Sequence, residues 1–139
     1  MKAVLALSVL SFSLLTACSD AVQVADPSPA QVQAAELAYN DLRDGKYDEF
    51  LAQLDPKLQR YFNENPKLMK KFSYSIPEGQ YTSKTLMVKH FEEKSGQPSE
   101  YKISYEIAYP KNLVQYDVSF DQPNGSAQIQ NFNIRVYGE

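Results

Sequence analysis

The chain has few of the residues on which disulfide-bonded and metal-binding folds depend. Among its 139 residues there are one cysteine, one histidine, five glycines and no tryptophan. A single cysteine excludes a disulfide within the chain, and one histidine beside one thiol argues against a zinc site. The domain must therefore be stable through core packing alone, and we expect no metal and no other cofactor.

A long hydrophobic run is also missing. The most apolar stretch, residues 3–15, contains three serines and is shorter than the roughly 20 residues that a helix needs to cross a bilayer. Behind a single positive charge at Lys2, a run of this length is typical of the hydrophobic region of a secretory signal, which ends in small residues at a cleavage site.

The run ends in Leu15, Thr16, Ala17 and Cys18. These four residues resemble the lipobox of bacterial lipoproteins, in which the cysteine sulfur receives a diacylglyceryl group and the cysteine becomes the first residue of the processed protein. The resemblance implies a signal peptide over residues 1–17 and a lipid anchor on Cys18. The alternative is a buried, inert cysteine, but Cys18 lies outside any segment that is predicted to form a core.

The residues after the cysteine bear on its destination. Ser19 follows Cys18 directly, and Asp20 comes one position later. In enteric-type bacteria an aspartate directly after the cysteine retains a lipoprotein in the inner membrane. The resemblance therefore implies an outer-membrane anchor with the domain facing the periplasm.

Positive charge is scarce as well. The chain has 14 Lys and Arg against 17 Asp and Glu, a formal net charge of −3, which becomes −4 when residues 1–17 remove one lysine. A mildly acidic protein lacks the basic surface that nucleic acid requires, so no nucleic-acid partner is expected. We predict a polar tether at residues 18–27 and one domain over residues 28–139, long enough to bury a real core.

Helical signals come first in this domain. Ser28 and Gln31 form the pattern of a capping box around Pro29, and Gly45 supplies a left-handed stop. The apolar stripe of this helix is predicted as Val32, Ala35, Tyr39 and Leu42. Three shorter helices are expected after it, with apolar residues over 47–54, a start at Asp55-Pro56 and a new start at Asn65-Pro66.

The period of the apolar residues changes from 3.6 to 2 after residue 80. Strands are predicted at residues 81–93 and 100–109, the second with Tyr101 to Tyr109 alternating inward and Lys102 to Ala108 outward. A third strand follows through Val114 to Phe120. The inward residues of the second strand are Tyr101, Ile103, Tyr105, Ile107 and Tyr109.

The end of the chain is predicted to form a β-hairpin. Pro123-Asn124-Gly125 predicts a tight turn, because Asn-Gly tolerates positive φ. The last strand is expected from about residue 127 to 137. Ile129 is out of phase with Phe132, which predicts a bulge near Asn131.

Helices followed by an antiparallel meander predict an α+β fold, with N-terminal helices packed on a curved four-stranded sheet. This order and the junction Asp44-Gly45-Lys46-Tyr47-Asp48 resemble the NTF2-like (cystatin-like roll) group. In that group a curved sheet wraps the helices into a cone. The resemblance covers residues 28–137 and brings no catalytic residue across.

Tyrosines and one histidine are the candidates for a site. Possible pocket-lining residues are Tyr39, His90, Tyr101, Tyr105 and Tyr116. The tyrosines fall on predicted inward faces and either line a semi-polar cavity or fill the core. His90 shares the alternation of Leu86 and Val88, so it faces inward if they do, and it would then be the natural general base. The alternative is a strand histidine without a catalytic role. No residue nearby in the sequence would orient His90 as a base, so no catalytic residue is assigned.

Lys67, Lys70 and Lys71 form a short basic cluster. It either contacts anionic lipid headgroups or a partner, or it is a solvated helix face.

Three functions are compatible with these features. The favoured hypothesis is a lipid-anchored periplasmic binding or accessory module of the cell envelope, which contacts the membrane through Cys18 and an envelope protein or small ligand through its domain. The alternatives are an NTF2-like isomerase or hydrolase with a pocket between helices and sheet, and a structural envelope lipoprotein without a ligand.

Overall fold

The computed structural model describes residues 23–138, so the predicted signal peptide, Cys18 and the start of the tether lie outside the described residues. Helices come first and strands follow, as predicted, and the α+β class is confirmed. The helices are α1 (Pro29–Arg43), α2 (Tyr47–Ala52), α3 (Pro56–Glu64) and α4 (Pro66–Ser75). The strands are β1 (Ser83–Glu92), β2 (Glu100–Ala108), β3 (Asn112–Phe120) and β4 (Asn131–Gly138).

Helix α1 begins and ends as its sequence predicts. The Ser28 hydroxyl accepts a hydrogen bond from the Gln31 N–H, and Gln31 Oε1 accepts one from the Ser28 N–H, which completes the capping box. At the other end Gly45 has φ +72°, a left-handed conformation that glycine adopts without strain. The chain can therefore turn sharply from α1 into α2.

The buried face of α1 differs from the predicted stripe at its first turn. Ala35, Tyr39 and Leu42 are buried as expected, but Val32 is only half-buried. Gln31 is fully buried in its place, together with small residues that let the helix lie close to the sheet. Those small residues are Ala34, Ala35 and Ala38.

The remaining helices start at their proline signals. The Asp55 carboxylate accepts a hydrogen bond from the Leu58 N–H at 2.7 Å and caps α3, with Pro56 in its first turn. Asn65 ends α3 and directly precedes α4. Leu54, expected in the second helix, lies beyond α2 and forms a parallel bridge with Ile129.

The four strands form one open antiparallel sheet in the order β1-β2-β3-β4. The predicted alternation of β2 is confirmed, because its inward residues are all buried, while Glu106 on the other face is exposed. The inner face packs on the helices and forms one hydrophobic core.

The predicted turn at Pro123-Asn124-Gly125 forms, with the Gly125 N–H donating to the Gln122 carbonyl at 3.1 Å, but the predicted tight hairpin and the bulge near Asn131 are wrong. Residues 121–130 form a long connection between β3 and β4, in which Asn124 has φ 57°. The pairing of β3 with β4 is regular, with Ser119 opposite Asn131. Ile129 is out of phase because it lies before the strand, where it is fully buried beside Leu54.

A bulge occurs instead in β1, at Met87. Before it the even residues face inward, so that Leu86 pairs with Tyr105. After it Val88 is 45% exposed and Phe91 packs against the core. One extra residue thus reverses the face of every later side chain in the strand.

Candidate functional site

Two of the predicted pocket tyrosines are hydrogen-bonded inside the core. The hydroxyls of Tyr39 and Tyr109 lie 2.8 Å apart. Tyr116 is 1% exposed and donates its hydroxyl hydrogen to the backbone carbonyl of Ala35 at 2.8 Å. These phenols therefore join α1 to the sheet.

The other two tyrosines lie towards the β1 edge of the same face. Tyr101 donates to the carbonyl of Ala25 at 2.7 Å and so holds the chain just before α1. The Tyr105 ring stacks on the Tyr116 ring with centroids 6.1 Å apart. Lys84 Nζ lies 5.4 Å from the centre of the Tyr105 ring and 3.2 Å from Glu36 Oε2.

The structure brings these tyrosines together without leaving a cavity for a ligand. The space between them has no room for a water molecule. Within residues 23–138, every fully buried side-chain nitrogen or oxygen has a hydrogen-bond partner. The rings thus fill the interface between helices and sheet. The residues that enclose this space are Glu36, Tyr39, Asn40, Tyr81, Lys84, Tyr105 and Tyr116.

Burial raises the pKa of all four predicted pocket tyrosines, Tyr101 among them. Desolvation is the main cause that raises the pKa of Tyr39, and the hydrogen bond to Tyr109 raises that pKa further. Burial also raises the pKa of Tyr116 and raises the pKa of Tyr105 to about 12. A group that holds its proton so tightly is a hydrogen-bonding group at neutral pH and not a base.

His90 lies on the opposite face of the sheet from the tyrosines. It follows the Met87 bulge, pairs across the strand with Lys102, and its side chain is 60% exposed. Its Nε2 lies 3.9 Å from Glu92 Oε2, at the surface. The described part of the chain therefore places no carboxylate beside His90 in an enclosed pocket, and it contains no group of three acidic, histidine or cysteine residues that could hold a metal.

A groove opens where α3 and α4 meet the start of β4, and sequence reasoning missed it. It has a volume of about 390 Å³. Aromatic rings form its floor: the Phe62 and Phe72 centroids are 6.4 Å apart, and those of Phe72 and Phe132 are 5.9 Å apart. We call this the α3–α4 groove, and its lining residues are Lys57, Leu58, Tyr61, Phe62, Leu68, Phe72, Gln130, Asn131 and Phe132.

Five basic residues lie on the same two helices, and one of them, Lys57, lines the groove. All five are exposed, and none forms an ion pair with another described residue. Glu64 is the one acidic residue in residues 56–75, so this segment has a net charge of +4. We call these five residues the basic face: Lys57, Arg60, Lys67, Lys70 and Lys71.

Exposed tyrosines accompany the basic face. Tyr61 is 49% exposed, and Tyr74 is 79% exposed. Sequence reasoning singled out three of the five basic residues. A charge count across both helices would have found Lys57 and Arg60 as well.

Comparisons with known proteins identify no relative. No protein-family model, no curated protein and no solved structure matches this chain. Within residues 23–138, no helix is long and apolar enough to cross a membrane.

Proposed function

We propose that this chain is a lipid-anchored periplasmic binding or accessory module of the bacterial cell envelope. The observation that carries the proposal is the sequence Leu15 to Cys18 at the end of a short apolar run, which resembles a lipobox. Two or more acyl chains at Cys18 would hold the protein stably, since each buried methylene contributes about 0.8 kcal/mol. Ser19, in place of aspartate, supports an outer-membrane location.

The way the chain enters the domain supports a short connection between anchor and domain. Val24 packs against the core, and Asp26 Oδ1 lies 2.7 Å from Lys89 Nζ. Ser28 then caps α1. A fully extended chain reaches at most about 3.5 Å per residue, so Cys18 lies within about 35 Å of Ser28. Such a tether would keep the domain close to the membrane surface.

The contrast between a filled interior and an open surface groove supports a module that acts through its surface. The interface between helices and sheet is filled by tyrosines, whereas the α3–α4 groove is open. The two helices that form it carry five basic residues without ion-pair partners among the described residues. A partner or a small ligand would therefore bind at the α3–α4 groove and the basic face.

The NTF2-like resemblance belongs to this proposal as the finer description of the fold. It is supported by the left-handed Gly45 between α1 and α2 and by the antiparallel meander that follows the helices. Distances measured across the sheet in solution that show it wrapping around α1 would support the resemblance, and distances that show a flat sheet would contradict it.

The anchor is tested by Cys18→Ala in a bacterium that processes lipoproteins. The variant should incorporate no labelled fatty acid and should accumulate as a precursor that keeps residues 1–17. Mass spectrometry of the wild-type protein should find a lipid on Cys18.

Ser19 offers the matched comparisons. Ser19→Ala should keep the lipid label and the outer-membrane fraction, while Ser19→Asp should keep the label and move the protein to the inner-membrane fraction. An unmodified N-terminus at another residue in the wild-type protein would contradict the proposal.

A further inference from the structure

We infer that the basic face of α3 and α4 is a second membrane contact, which binds the headgroups of anionic phospholipids while the aromatic residues beside it enter the interfacial region. The inference rests on the proposed function only for the nearness of the membrane. The chemistry of the surface itself comes from the described helices.

Charge is the first argument. Since the whole chain has a formal net charge of −3, a segment with +4 leaves −7 for the remainder. An anionic surface would therefore attract this pair of helices and repel the rest of the molecule. Each exposed lysine or arginine near such a surface strengthens binding by about fivefold, the equivalent of about 1 kcal/mol.

The composition of the surface is the second argument, and it favours lipid over an acidic protein. Exposed tyrosines beside lysines are typical of membrane interfaces, where a ring meets the acyl boundary and its hydroxyl stays with the headgroups. Tyr61 lines the apolar α3–α4 groove, and Tyr74 is the most exposed large hydrophobic residue described, in the same helix as Lys70 and Lys71.

The position of the tether is the third argument. The start of α1 and the start of α3 are both bonded to the connection at residues 121–130: Gln31 Nε2 donates to the carbonyls of Gln122 and Ser126, and the Asp55 N–H donates to the carbonyl of Ile129. The α3–α4 groove is lined by the end of this same connection. The start of α1, where the tether ends, and the α3–α4 groove therefore contact the same connection, while the tether itself contacts β2 and β1 through Ala25 and Asp26.

The test measures vesicle binding without the anchor. The processed chain, residues 18–139 with Cys18→Ser, contains every described residue and has no acyl group. It should sediment with vesicles of phosphatidylglycerol mixed with phosphatidylcholine and not with pure phosphatidylcholine. Binding should weaken as salt rises, because salt screens exposed charges.

Neutralising part of the basic face should weaken this binding. Lys67→Gln with Lys71→Gln removes two charges one turn apart, and glutamine is a good helix former, so the fold should persist in circular dichroism. At about fivefold per lysine, the partition coefficient should fall roughly 25-fold.

The matched control removes two exposed lysines elsewhere. Lys46→Gln with Lys111→Gln changes the net charge equally and should alter binding by less than about twofold, given the fivefold expected for a contacting lysine. An equal loss in the control, or binding without preference for phosphatidylglycerol, overturns the inference. Photo-crosslinks from residue 70 in envelopes that reach protein and not lipid also overturn it. None of these results changes the fatty-acid labelling of Cys18, so the two proposals fail separately.

Discussion

Gln31 shows how one polar side chain can organise the entrance to a domain. It is fully buried, and its amide nitrogen donates to the carbonyls of Gln122 and Ser126 at 2.9 and 3.2 Å. Its oxygen accepts from the N–H groups of Ser28 and Asn124 at 3.0 and 3.2 Å. A residue that the sequence indicates as a local cap therefore also holds the connection between β3 and β4.

Loss of this amide should be costly for stability. Gln31→Ala removes the hydrogen bonds to the carbonyls of Gln122 and Ser126 and to the N–H groups of Ser28 and Asn124, and each lost bond costs about 0.5–1.5 kcal/mol. We expect the free energy of unfolding to fall by about 2–4 kcal/mol in urea melts.

Two variants make the Gln31 test specific. Gln33→Ala, at an exposed position of the same helix, should change stability by less than about 0.5 kcal/mol. Gln31→Glu keeps the size but places acceptor oxygens opposite two carbonyls, so wild-type stability in that variant would contradict the role of the amide.

At the scale of single elements, strand β2 and strand β1 behave differently. Strand β2 lies between two neighbours and keeps one strict alternation, with Ile103 and Ile107 fully buried. Strand β1 is an edge strand whose apolar residues fall on both phases, and the bulge at Met87 lets it present Leu86 and then Phe91 to the core. Edge strands tolerate such bulges because one side has no neighbour to keep in register.

The two faces of β2 predict opposite effects of substitution. Ile103→Ala removes a fully buried side chain and should lower the free energy of unfolding by about 2–5 kcal/mol. Lys102→Ala changes the neighbouring outward position and should stay within about 0.5 kcal/mol. Equal losses in denaturant melts would reject this assignment of the faces.

At the scale of the whole molecule, the core relies on phenols in place of disulfides. Tyr39, Tyr105 and Tyr116 are buried between α1 and the sheet, and burial raises the pKa of each. A raised pKa means that the folded protein keeps these protons at a pH where the unfolded chain loses them. Stability is therefore full below about pH 10, the usual tyrosine pKa, and falls as the pH rises above it.

This linkage predicts alkaline unfolding. Between about pH 10 and the pKa of Tyr105 near 12, this one residue should lower the free energy of unfolding by on the order of 3 kcal/mol. Tyr105→Phe should reduce the slope of stability against pH over that range. Tyr74→Phe is the control, because Tyr74 is 79% exposed in the folded protein. A slope unchanged by Tyr105→Phe would show that this burial is not coupled to folding.

Local signals in the sequence were sufficient to locate the helices and the central strands. Caps, prolines and Gly45 act within a few residues, so the four helices could be located from them. The period of two in β2 and β3 is a property of each strand alone, and it correctly predicted the residues that face the helices, although Ser104 and Ser119 on the other phase are buried as well. The lipobox resemblance is likewise local, and the anchor stays a prediction from sequence.

Contacts between distant segments required the tertiary structure. Gln31, and not Val32, is buried at the first turn of α1, because the connection at residues 121–130 packs there. His90 faces outward because a bulge in the paired strands reverses its side. The α3–α4 groove exists because two helices and the start of β4 meet at Phe132. The spacing of the tyrosines was compatible with either a cavity or a filled core, and the structure shows that their rings fill the space. Each depends on which surfaces meet in three dimensions, which no local period encodes.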